Sequence, residues 1–316
     1  MKISLCLTVF NEENSVSQLL TSLINQTYKV NEIVIVDGGS TDNTVKLIKS
    51  FQKKHKFIKV FQKQGNIAVG RNEAVKQATG DVIIMTDAGC VARTDWIAKL
   101  VQPFKKRNVQ IVAGFYDMPA NNSLVQAMSV YHGIHPLRFD NKTFMPSTRS
   151  VAFRKFVWKR LGGFNEKLDK TGEDTIFFYS AVKSGMKITR VQEARVEWKE
   201  ISNYNLLTFV NKTYKYAIGD AQTAIWWDYA KGIKSHNIKI LFVFIRYIAA
   251  FILMIFSVQF FSYLSLLIFV ALYIYLTIYK WRDLKLPIKT LFWVPIVQVL
   301  SDFAVMAGFI VGLVLK

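Results

Sequence analysis

The stretch EIVIVDGGSTDNT, residues 32–44, decides the fold class of this 316-residue chain. It begins with a short, unbroken apolar run, as expected for a strand that is buried on both faces of a sheet. The run ends on Asp37, after which Gly38 and Gly39 permit a tight turn or a close approach of a ligand to the backbone. A hydroxyl residue of the same loop can cap the helix that follows. The stretch therefore predicts a buried strand, a polar loop and the start of a helix.

The same pattern recurs through the first hundred residues. Further apolar runs of strand length lie at 3–9, 57–61 and 81–86. Helix-like stretches alternate with these runs, at roughly 15–25, 42–54, 71–79 and 95–107. Regular alternation of strand and helix predicts an α/β fold with a doubly wound, mostly parallel sheet.

Polar and acidic residues stand where three of these strands end. TVFNEE follows the first strand, DGGSTDNT the second and DAGC the fourth, and ligands of doubly wound sheets bind at this edge. The commonest phosphate loops, GxxxxGK[ST] and GxGxxG, are absent from the sequence. A diphosphate can still be held by a divalent cation on a carboxylate, and Asp87 is the candidate for that role. The alternative is that Asp87 caps a helix or pairs with Arg71.

The C-terminal third is strongly apolar. Between Lys239 and Tyr279 the only charged residue is Arg246, and the run is long enough for about 60 Å of helix, roughly twice the bilayer core. It predicts two spans with a turn near 257–259, and a run at 290–315 that contains only Asp302 predicts a third. The alternative is a set of buried core helices. The expected domains are 1–200, an amphipathic juxtamembrane segment at 201–238, and a membrane domain of about three transmembrane helices at 239–316.

Charge predicts the orientation of these spans. The loop KWRDLKLPIK, between the second and third runs, is rich in Lys and Arg, which favours the cytoplasmic side. Residues 1–238 are then cytoplasmic too, and Lys316 lies outside. Cys6 and Cys90 have no disulfide or metal spacing, as expected in a reducing compartment. The net charge of +19 comes without a nucleic-acid-binding motif, so we expect membrane lipids as partners and no nucleic acid.

Aromatic and basic residues before the first span support a membrane-surface segment. Trp226, Trp227 and Tyr229 stand close to Lys231 and Lys234. Aromatic rings and lysines together suit the headgroup zone of a bilayer. The alternative is an ordinary core helix with two tryptophans.

Four ordered blocks resemble the family 2 glycosyltransferases, whose fold is called GT-A. They are LTVFNEE, EIVIVDGGSTDNT, GNIAVGRNEAVKQATGDVIIMTDAGC and STRSVAFRKFVWKRLGGFNEKLDKTGEDTIFFYSAVKSG, and they cover about residues 1–200. The resemblance implies an inverting, hexosyltransferase-like enzyme that uses a nucleotide-sugar donor in cell envelope glycan biosynthesis. It also implies an integral protein of the cell membrane whose catalytic domain is cytoplasmic.

The resemblance assigns residues to the donor site. Thr8, Glu12, Asp37, Arg71 and Asp87 correspond to nucleotide-sugar-binding positions, and Asp87 to the metal ligand, with Mg²⁺ or Mn²⁺ as the cofactor. The usual DxD motif reads Asp-Ala-Gly here, so its second carboxylate is missing. A glycine also stands where many members carry a second acid after Asp37. A UDP-sugar is favoured as the donor, with a GDP-sugar as the alternative.

The GED block supplies the catalytic candidates. By resemblance Asp174 is the general base, next to Glu173, and a base is needed to take the proton of an attacking hydroxyl. Acids at this position also suit the N-terminus of a helix, and the two interpretations are compatible. In the preceding block, Arg149 and Arg154 are candidates for contact with phosphate or sugar.

The family's polymer-extruding members carry QxxRW before their membrane helices, whereas this chain reads QTAIWW from Gln222. The sequence therefore predicts a non-processive enzyme that adds one sugar to a hydroxyl of a lipid-linked glycan or glycolipid. The alternatives are a polyprenyl-phosphate sugar synthase and a non-catalytic nucleotide-sugar-binding membrane protein.

Overall fold

A computed structural model of the protein describes residues 1–168, 171–226, 236–260 and 263–315. Of the predicted membrane-surface residues, Trp227, Tyr229, Lys231 and Lys234 lie outside these ranges.

Within the described residues, eight strands form one mixed sheet in the order β3-β2-β1-β4-β7-β6-β8-β5. The first four strands run parallel to their neighbours, and β7 joins β4 antiparallel. The α/β class and the four predicted strands are confirmed, with ends shifted by one residue or less at most positions. The strands are β1 (Ile3–Val9), β2 (Glu32–Asp37), β3 (Ile58–Gln62), β4 (Val82–Met85), β5 (Cys90–Ala92), β6 (Ile111–Asp117), β7 (Val151–Arg154) and β8 (Ile188–Trp198).

Eleven α-helices accompany the sheet in the described part of the chain. The third helix begins four residues earlier than the sequence predicts, because the Asn66 side chain accepts a hydrogen bond from Val69 N at 3.1 Å and caps it. Arg71 therefore lies in the second turn of a helix. The helices are α1 (Val16–Ile24), α2 (Thr44–Lys54), α3 (Ile67–Gln77), α4 (Trp96–Val101), α5 (Ser123–His132), α6 (Lys155–Leu161), α7 (Glu173–Lys183), α8 (Leu206–Thr223), α9 (His236–Phe260), α10 (Tyr263–Tyr279) and α11 (Ile288–Val314).

The main core forms where the central strands meet α3, α6 and α7. Val34 of β2, Ile83 of β4 and Phe153 of β7 belong to one core cluster with Phe177 of α7, and all four side chains are buried. Cys6 and Cys90 are buried free thiols, and burial raises the pKa of Cys90 to about 12. Both behave as small apolar residues of the core.

The chain divides into two compact units. The first contains Met1–Pro119 and Phe139–Glu200, and with them the whole sheet. The second contains Ala120–Arg138 and most of the chain after residue 200. The helix α5 belongs to the second unit, although its sequence position lies inside residues 1–200.

In the second unit, α8 and α11 approach very closely. A Cβ atom at Gly308 would lie 2.3 Å from the carbonyl oxygen of Tyr214, and one at Gly312 would lie 2.6 Å from that of Ile218. Glycine is therefore required at both positions, and the small residues allow backbone-to-backbone packing of the two helices.

Among the described residues, two helices are long and apolar enough to cross a membrane by length and composition, Asn237–Ile255 and Ile288–Val314. The apolar helix Leu267–Tyr279 is shorter. The turn that the sequence places near 257–259 falls inside α9, which continues to Phe260. Ser257 and Gln259 are polar but are compatible with a helix, since neither is a glycine or a proline.

Candidate active site

The end of β4 and the start of β7 bring two polar segments side by side. The strands pair antiparallel with Met85 opposite Val151, so the residues just after β4 lie next to those just before β7. Thr86 Oγ1 donates to the carbonyl oxygen of Arg149 at 2.9 Å, and Thr148 Oγ1 lies 3.3 Å from Asp87 Oδ2. Strand pairing therefore places the hydroxyl of Thr148 beside Asp87.

Arg71 is enclosed between two carboxylates. Its guanidinium donates to Asp87 Oδ1 at 2.7 Å and to Glu173 Oε1, and its side chain is only 3% exposed. Asp87 follows β4 and Glu173 is the first residue of α7, so Arg71 links the end of β4 to the start of α7. The predicted alternative, that Asp87 pairs with Arg71, is thus observed in the structure.

The charges of this cluster act on one another. Burial by itself would raise the pKa of Asp87, but the Arg71 guanidinium, with help from Arg149, holds it below its usual range. Burial would likewise lower the pKa of Arg71, yet its carboxylate neighbours raise it further above its ordinary value. For Glu173, burial is the larger effect and raises the pKa in spite of Arg71. At neutral pH the Arg71–Asp87 pair is therefore fully ionised.

Asp174 lies beside the same cluster at the first turn of α7. Its Oδ2 atom accepts from Thr148 N at 3.3 Å and lies 3.4 Å from Thr148 Oγ1, while Oδ1 accepts from Thr175 N at 2.8 Å. The side chain is half-buried. Asp87 and Asp174 thus both reach the hydroxyl of Thr148, and both side chains are only partly buried.

Arg149 adds a second cation at this place. Its guanidinium carbon lies 4.3 Å from the centre of the Trp198 ring and 4.9 Å from that of Tyr116. Cation–π contacts of this kind hold an arginine in place without neutralising its charge. Arg154, by contrast, donates to the backbone carbonyls of Val109 and Phe104, which gives it a structural position away from this cluster.

The other predicted donor-site residues lie at the ends of β1 and β2. Thr8 packs against Gly70 of α3, where an added Cβ atom would lie 2.8 Å from Thr8 Cγ2. Thr8 therefore contacts the residue that directly precedes Arg71. Asp37 is buried and accepts from the backbone N–H groups of the loop that follows it. Glu12 accepts from Ser15 Oγ, and its own N–H donates to Thr44 Oγ1 at 2.7 Å.

The structure brings Arg71, Asp87, Glu173 and Asp174 into one cluster. The contacts of Asp37 and Glu12 shape the neighbouring loops, as expected for the turn and helix start that the sequence predicts after Asp37. Thr148, which connects the two aspartates, was missed by the sequence analysis. The available signal is the run of hydroxyl residues in PSTRS, directly before β7.

Asp87 fits a divalent cation as a single ligand. Among the described residues no group of three or more histidines, cysteines or carboxylates is arranged to hold a metal ion. Mg²⁺ and Mn²⁺ are nevertheless commonly held by one or two carboxylates together with the phosphates of a substrate. The contact of Thr148 with Asp87 Oδ2 is long, so a cation can compete for that oxygen.

Two solved structures share this fold. A mannosyltransferase from Pyrobaculum calidifontis, in complex with GDP-Man and Mn²⁺, matches with a TM-score of 0.56 and 19% identity over 70% of this chain and 62% of that one. The S. aureus protein TarS, residues 1–349, in complex with UDP-GlcNAc, matches with a TM-score of 0.51 and 21% identity over 73% of this chain and 69% of that one. The sheet and its helices therefore have the GT-A fold.

The family follows from the sequence match. The model for glycosyl transferase family 2 matches residues 4–162, half of the chain. The protein belongs to glycosyl transferase family 2 and is a glycosyltransferase, so the resemblance drawn from the four sequence blocks is confirmed.

A curated relative shares part of this sequence. The dolichyl N-acetyl-α-D-glucosaminyl phosphate 3-β-D-2,3-diacetamido-2,3-dideoxy-β-D-glucuronosyltransferase of Methanococcus voltae is 37% identical over 109 residues. The match covers 33% of this chain and 34% of the relative. The chain spans about a quarter to a third of the length of the curated relatives that it matches first.

Proposed function

We propose that the protein transfers a single sugar from a nucleotide-sugar donor, with inversion, to a hydroxyl group of a membrane-held lipid-linked glycan or glycolipid. The observation that carries this proposal is the meeting of Asp87 and Asp174 at the hydroxyl of Thr148. One carboxylate is held ionised by arginine, and the other is partly buried at the first turn of a helix. Inverting transfer requires this division, with one group near the departing diphosphate and another near the attacking hydroxyl.

Asp174 is the general base in this proposal. The backbone N–H of Thr148 and that of Thr175 hold its two oxygens, so the carboxylate keeps one orientation when an acceptor binds. It takes the proton of the acceptor hydroxyl as the hydroxyl oxygen attacks the anomeric carbon, and the bond from that carbon to the diphosphate oxygen breaks. Glu173 assists by fixing Arg71, whose guanidinium donates to Glu173 Oε1. The second carboxylate oxygen, Oε2, is buried and has no hydrogen-bond partner among the described residues.

Positive charge for the departing diphosphate comes from the same cluster. Arg149 is held between two aromatic rings, and Arg71 lies against Asp87. A divalent cation on Asp87, when bound, supplies Lewis-acid stabilisation of the diphosphate. With two arginines at hand, the absence of a second DxD carboxylate is compatible with catalysis.

Residues at the ends of β1 and β2 recognise the donor in this proposal. Thr8, Glu12 and Asp37 line this edge of the sheet, and the position of Thr8 against the helix that carries Arg71 connects them to the catalytic cluster. The two solved relatives carry a GDP-sugar and a UDP-sugar. We favour a UDP-sugar for this protein, with a GDP-sugar as the alternative.

The membrane placement rests on the C-terminal helices. We infer a GT-A domain that ends near residue 200, a juxtamembrane segment at 201–238 and a membrane domain at 239–316, in an integral protein of the cell membrane. The catalytic domain is cytoplasmic, because the loop before α11 is rich in Lys and Arg.

The test uses membranes that contain the full-length protein. They are incubated with a panel of labelled UDP- and GDP-sugars, with and without Mg²⁺ or Mn²⁺, and the lipids are extracted. A labelled lipid from one donor is expected, and it fixes the donor, the acceptor class and the need for a cation. Absence of labelled lipid and of donor hydrolysis with every sugar would favour a non-catalytic binding protein.

A variant of the base separates the two enzymatic alternatives. Asp174→Asn is expected to lower transfer about 10²- to 10⁴-fold, the usual contribution of a general base. Asp95→Asn, which changes an exposed surface carboxylate, is the matched control. Retained activity in Asp174→Asn would indicate attack by a phosphate oxygen, which needs no base, as in a polyprenyl-phosphate sugar synthase.

A further inference from the structure

The apolar helices of the second unit differ in how much of their surface is covered. In α9, the five consecutive residues Phe251–Ile255 are all exposed, with values from 38% to 58%. Five residues in succession point in every direction around a helix. Apolar side chains exposed on all sides require an apolar medium on all sides, as a helix has when it is surrounded by lipid.

In α11 the exposed apolar residues form a single stripe. Phe292, Ile296, Phe303 and Ile310 are exposed at intervals of four and seven residues, which lie on one face of a helix. Val314 continues the stripe to the end of α11. One apolar stripe along the full length of a helix is the pattern of a helix that lies at an interface.

The opposite face of α11 is covered near both of its ends by α5 and α8, and neither is among the described helices that are long and apolar enough to cross a membrane. Near its start, Thr290 Oγ1 donates to Gln126 of α5 at 2.5 Å, and Val294 O accepts from Tyr131 at 3.2 Å. Near its end, Gly308 and Gly312 pack on α8. α8 contains Asn211, Lys212, Lys215 and Asp220. If α11 crossed the bilayer, α8 and these residues would enter the hydrocarbon with it. Each charged side chain would then cost about 2.5–3.5 kcal/mol.

The described side-chain contacts between α9 and α11 involve residues in the first half of α9. Ile240 and Phe244 pack with Phe309, and Tyr247 packs with Phe303. Lys280, directly after α10, donates to Gln298 of α11 at 3.2 Å. The first half of α9 and the residue after α10 thus contact α11 between Gln298 and Phe309, and the exposed residues Phe251–Ile255 come after these contacts in the sequence of α9.

A charged pair lies at the same contact. Arg246 of α9 donates to Asp302 of α11, which also accepts from Tyr247 Oη at 3.1 Å and from Gln298 Nε2 at 2.7 Å. The Arg246 side chain is 43% exposed. In a spanning α11, Asp302 would stand near the middle of the helix and this half-exposed guanidinium would face hydrocarbon. At the membrane surface it faces headgroups and water instead.

We propose that α11 is not a third span but lies in the plane of the cytoplasmic membrane surface, with its Phe292–Ile310 stripe in the acyl-chain boundary and α9 and α10 as the inserted hairpin. The occupant of the stripe is lipid, because the stripe is continuous with the lipid-type surface of α9 and is flanked by Lys280, Arg282 and Lys289, which suit an anionic leaflet. Leu315 is then on the same side as Lys280. This inference rests on the proposed membrane placement of the second unit.

The depth of three stripe positions tests the proposal. Single nitroxide labels are placed at Phe292, Phe303 and Val314 of the full-length protein in vesicles of mixed zwitterionic and anionic lipid, and their depth is measured by quenching. An in-plane helix is expected to give depths within about 10 Å of one another. A spanning helix would separate the outer two labels by about 33 Å, at 1.5 Å per residue. The labelled positions are 57–79% exposed, and the label at Phe303 replaces a ring that contacts Tyr247 of α9, so Phe292 and Val314 carry the main comparison.

Labels on α9 are the matched control. Ile245 and Ile252 are also exposed and are expected to differ in depth by about 10 Å if α9 inserts. If the α9 labels lie in lipid and the three α11 labels are spread over more than about 20 Å, the in-plane proposal is wrong while the membrane placement stands. If the α9 labels do not reach lipid, the membrane placement itself fails and the in-plane proposal with it.

The side on which the chain ends gives a second measurement. A fluorescent protein that matures only in the cytoplasm, fused after Lys316 of the full-length chain, is expected to be bright. A control with one added synthetic span before the reporter is expected to be dark. A dark fusion without the added span, at equal protein level, would overturn the proposal.

Discussion

Two arginine–carboxylate groups, one in each unit of the protein, have similar chemistry but differ in the exposure of the arginine. Arg71 is 3% exposed and is enclosed by Asp87 and Glu173, which are 22% and 6% exposed. Arg246 pairs with Asp302, which is 5% exposed, but the guanidinium itself is 43% exposed. In the first group the guanidinium is shielded from solvent, and in the second it is partly exposed.

This difference separates two uses of the same chemistry. A buried guanidinium between two carboxylates links the end of β4 to the start of α7, and so holds the geometry of the proposed catalytic cluster. A partly exposed guanidinium joins two helices and keeps access to a polar phase. Removing one partner of a fully buried pair costs about 3–5 kcal/mol, whereas an exposed pair contributes about 0–1 kcal/mol.

The largest effect is expected from Arg71→Met. Two buried carboxylates then lose their cation, so the free energy of unfolding should fall by about 3–5 kcal/mol, and sugar transfer should be lost. Denaturant unfolding in detergent micelles measures the first effect, and lipid labelling measures the second. Lys99→Met, which breaks the exposed pair with Asp95, is the control and should change stability by less than about 1 kcal/mol. An equally small effect of Arg71→Met would show that the Arg71 guanidinium is not shielded from solvent.

The next effect is expected from Gly308→Ala. The new methyl group would lie 2.3 Å from the carbonyl oxygen of Tyr214, so α8 and α11 must move apart, at a cost of about 1–3 kcal/mol. Thermal unfolding in micelles is the measurement. Ala307→Leu, at the exposed neighbouring position, is the control and should stay within about 0.5 kcal/mol. If Gly308→Ala is neutral, the close approach of Gly308 to the Tyr214 carbonyl is not what holds α8 against α11.

Asp302→Asn should have a smaller effect, about 1 kcal/mol, because Arg246 can turn to headgroups and water. The amide keeps the hydrogen bonds from Tyr247 and Gln298 available in part. Unfolding in lipid nanodiscs measures the change under membrane conditions. A loss above about 3 kcal/mol would place Arg246 in hydrocarbon, and the contrast between the two arginines would disappear.

The smallest effect is expected from Glu173→Gln, about 1 kcal/mol or less at neutral pH, since Asp87 still pairs with Arg71. Burial raises the pKa of Glu173 above its ordinary value of 4.5. Ionised Glu173 therefore lowers stability above its folded-state pKa, and this penalty is relieved as the pH falls towards 4.5. The unfolding temperature of the wild type, relative to Glu173→Gln, should rise on acidification through that window. A fall would show that Arg71 outweighs burial.

Much of the first unit follows from local sequence. Unbroken apolar runs such as EIVIV become buried strands because a strand covered on both faces has no polar side, and their acidic ends meet because parallel strands share one edge. Asp87, Arg71, Glu173 and Asp174 were predicted in this way or by resemblance, and the structure assembles them. Their roles remain proposals.

The position of Thr148 beside the two aspartates, and that of Trp198 beside Arg149, could not be predicted in the same way. Both depend on the antiparallel pairing of β4 with β7 and on the position of Trp198 at the end of β8, which are contacts between residues far apart in the sequence. Nothing in the local pattern around PSTRS indicates which strand it will lie beside.

The sequence by itself determined the α/β class, the acidic strand ends and the presence of long apolar helices, because periodicity and composition are properties of neighbouring residues. Only the tertiary structure decided that Thr148 joins the two aspartates, that α5 packs with the C-terminal helices and that one face of α11 is covered near both of its ends. Hydropathy measures how apolar a helix is, but it does not measure which of its faces another helix already covers, and that coverage distinguishes α11 from α9.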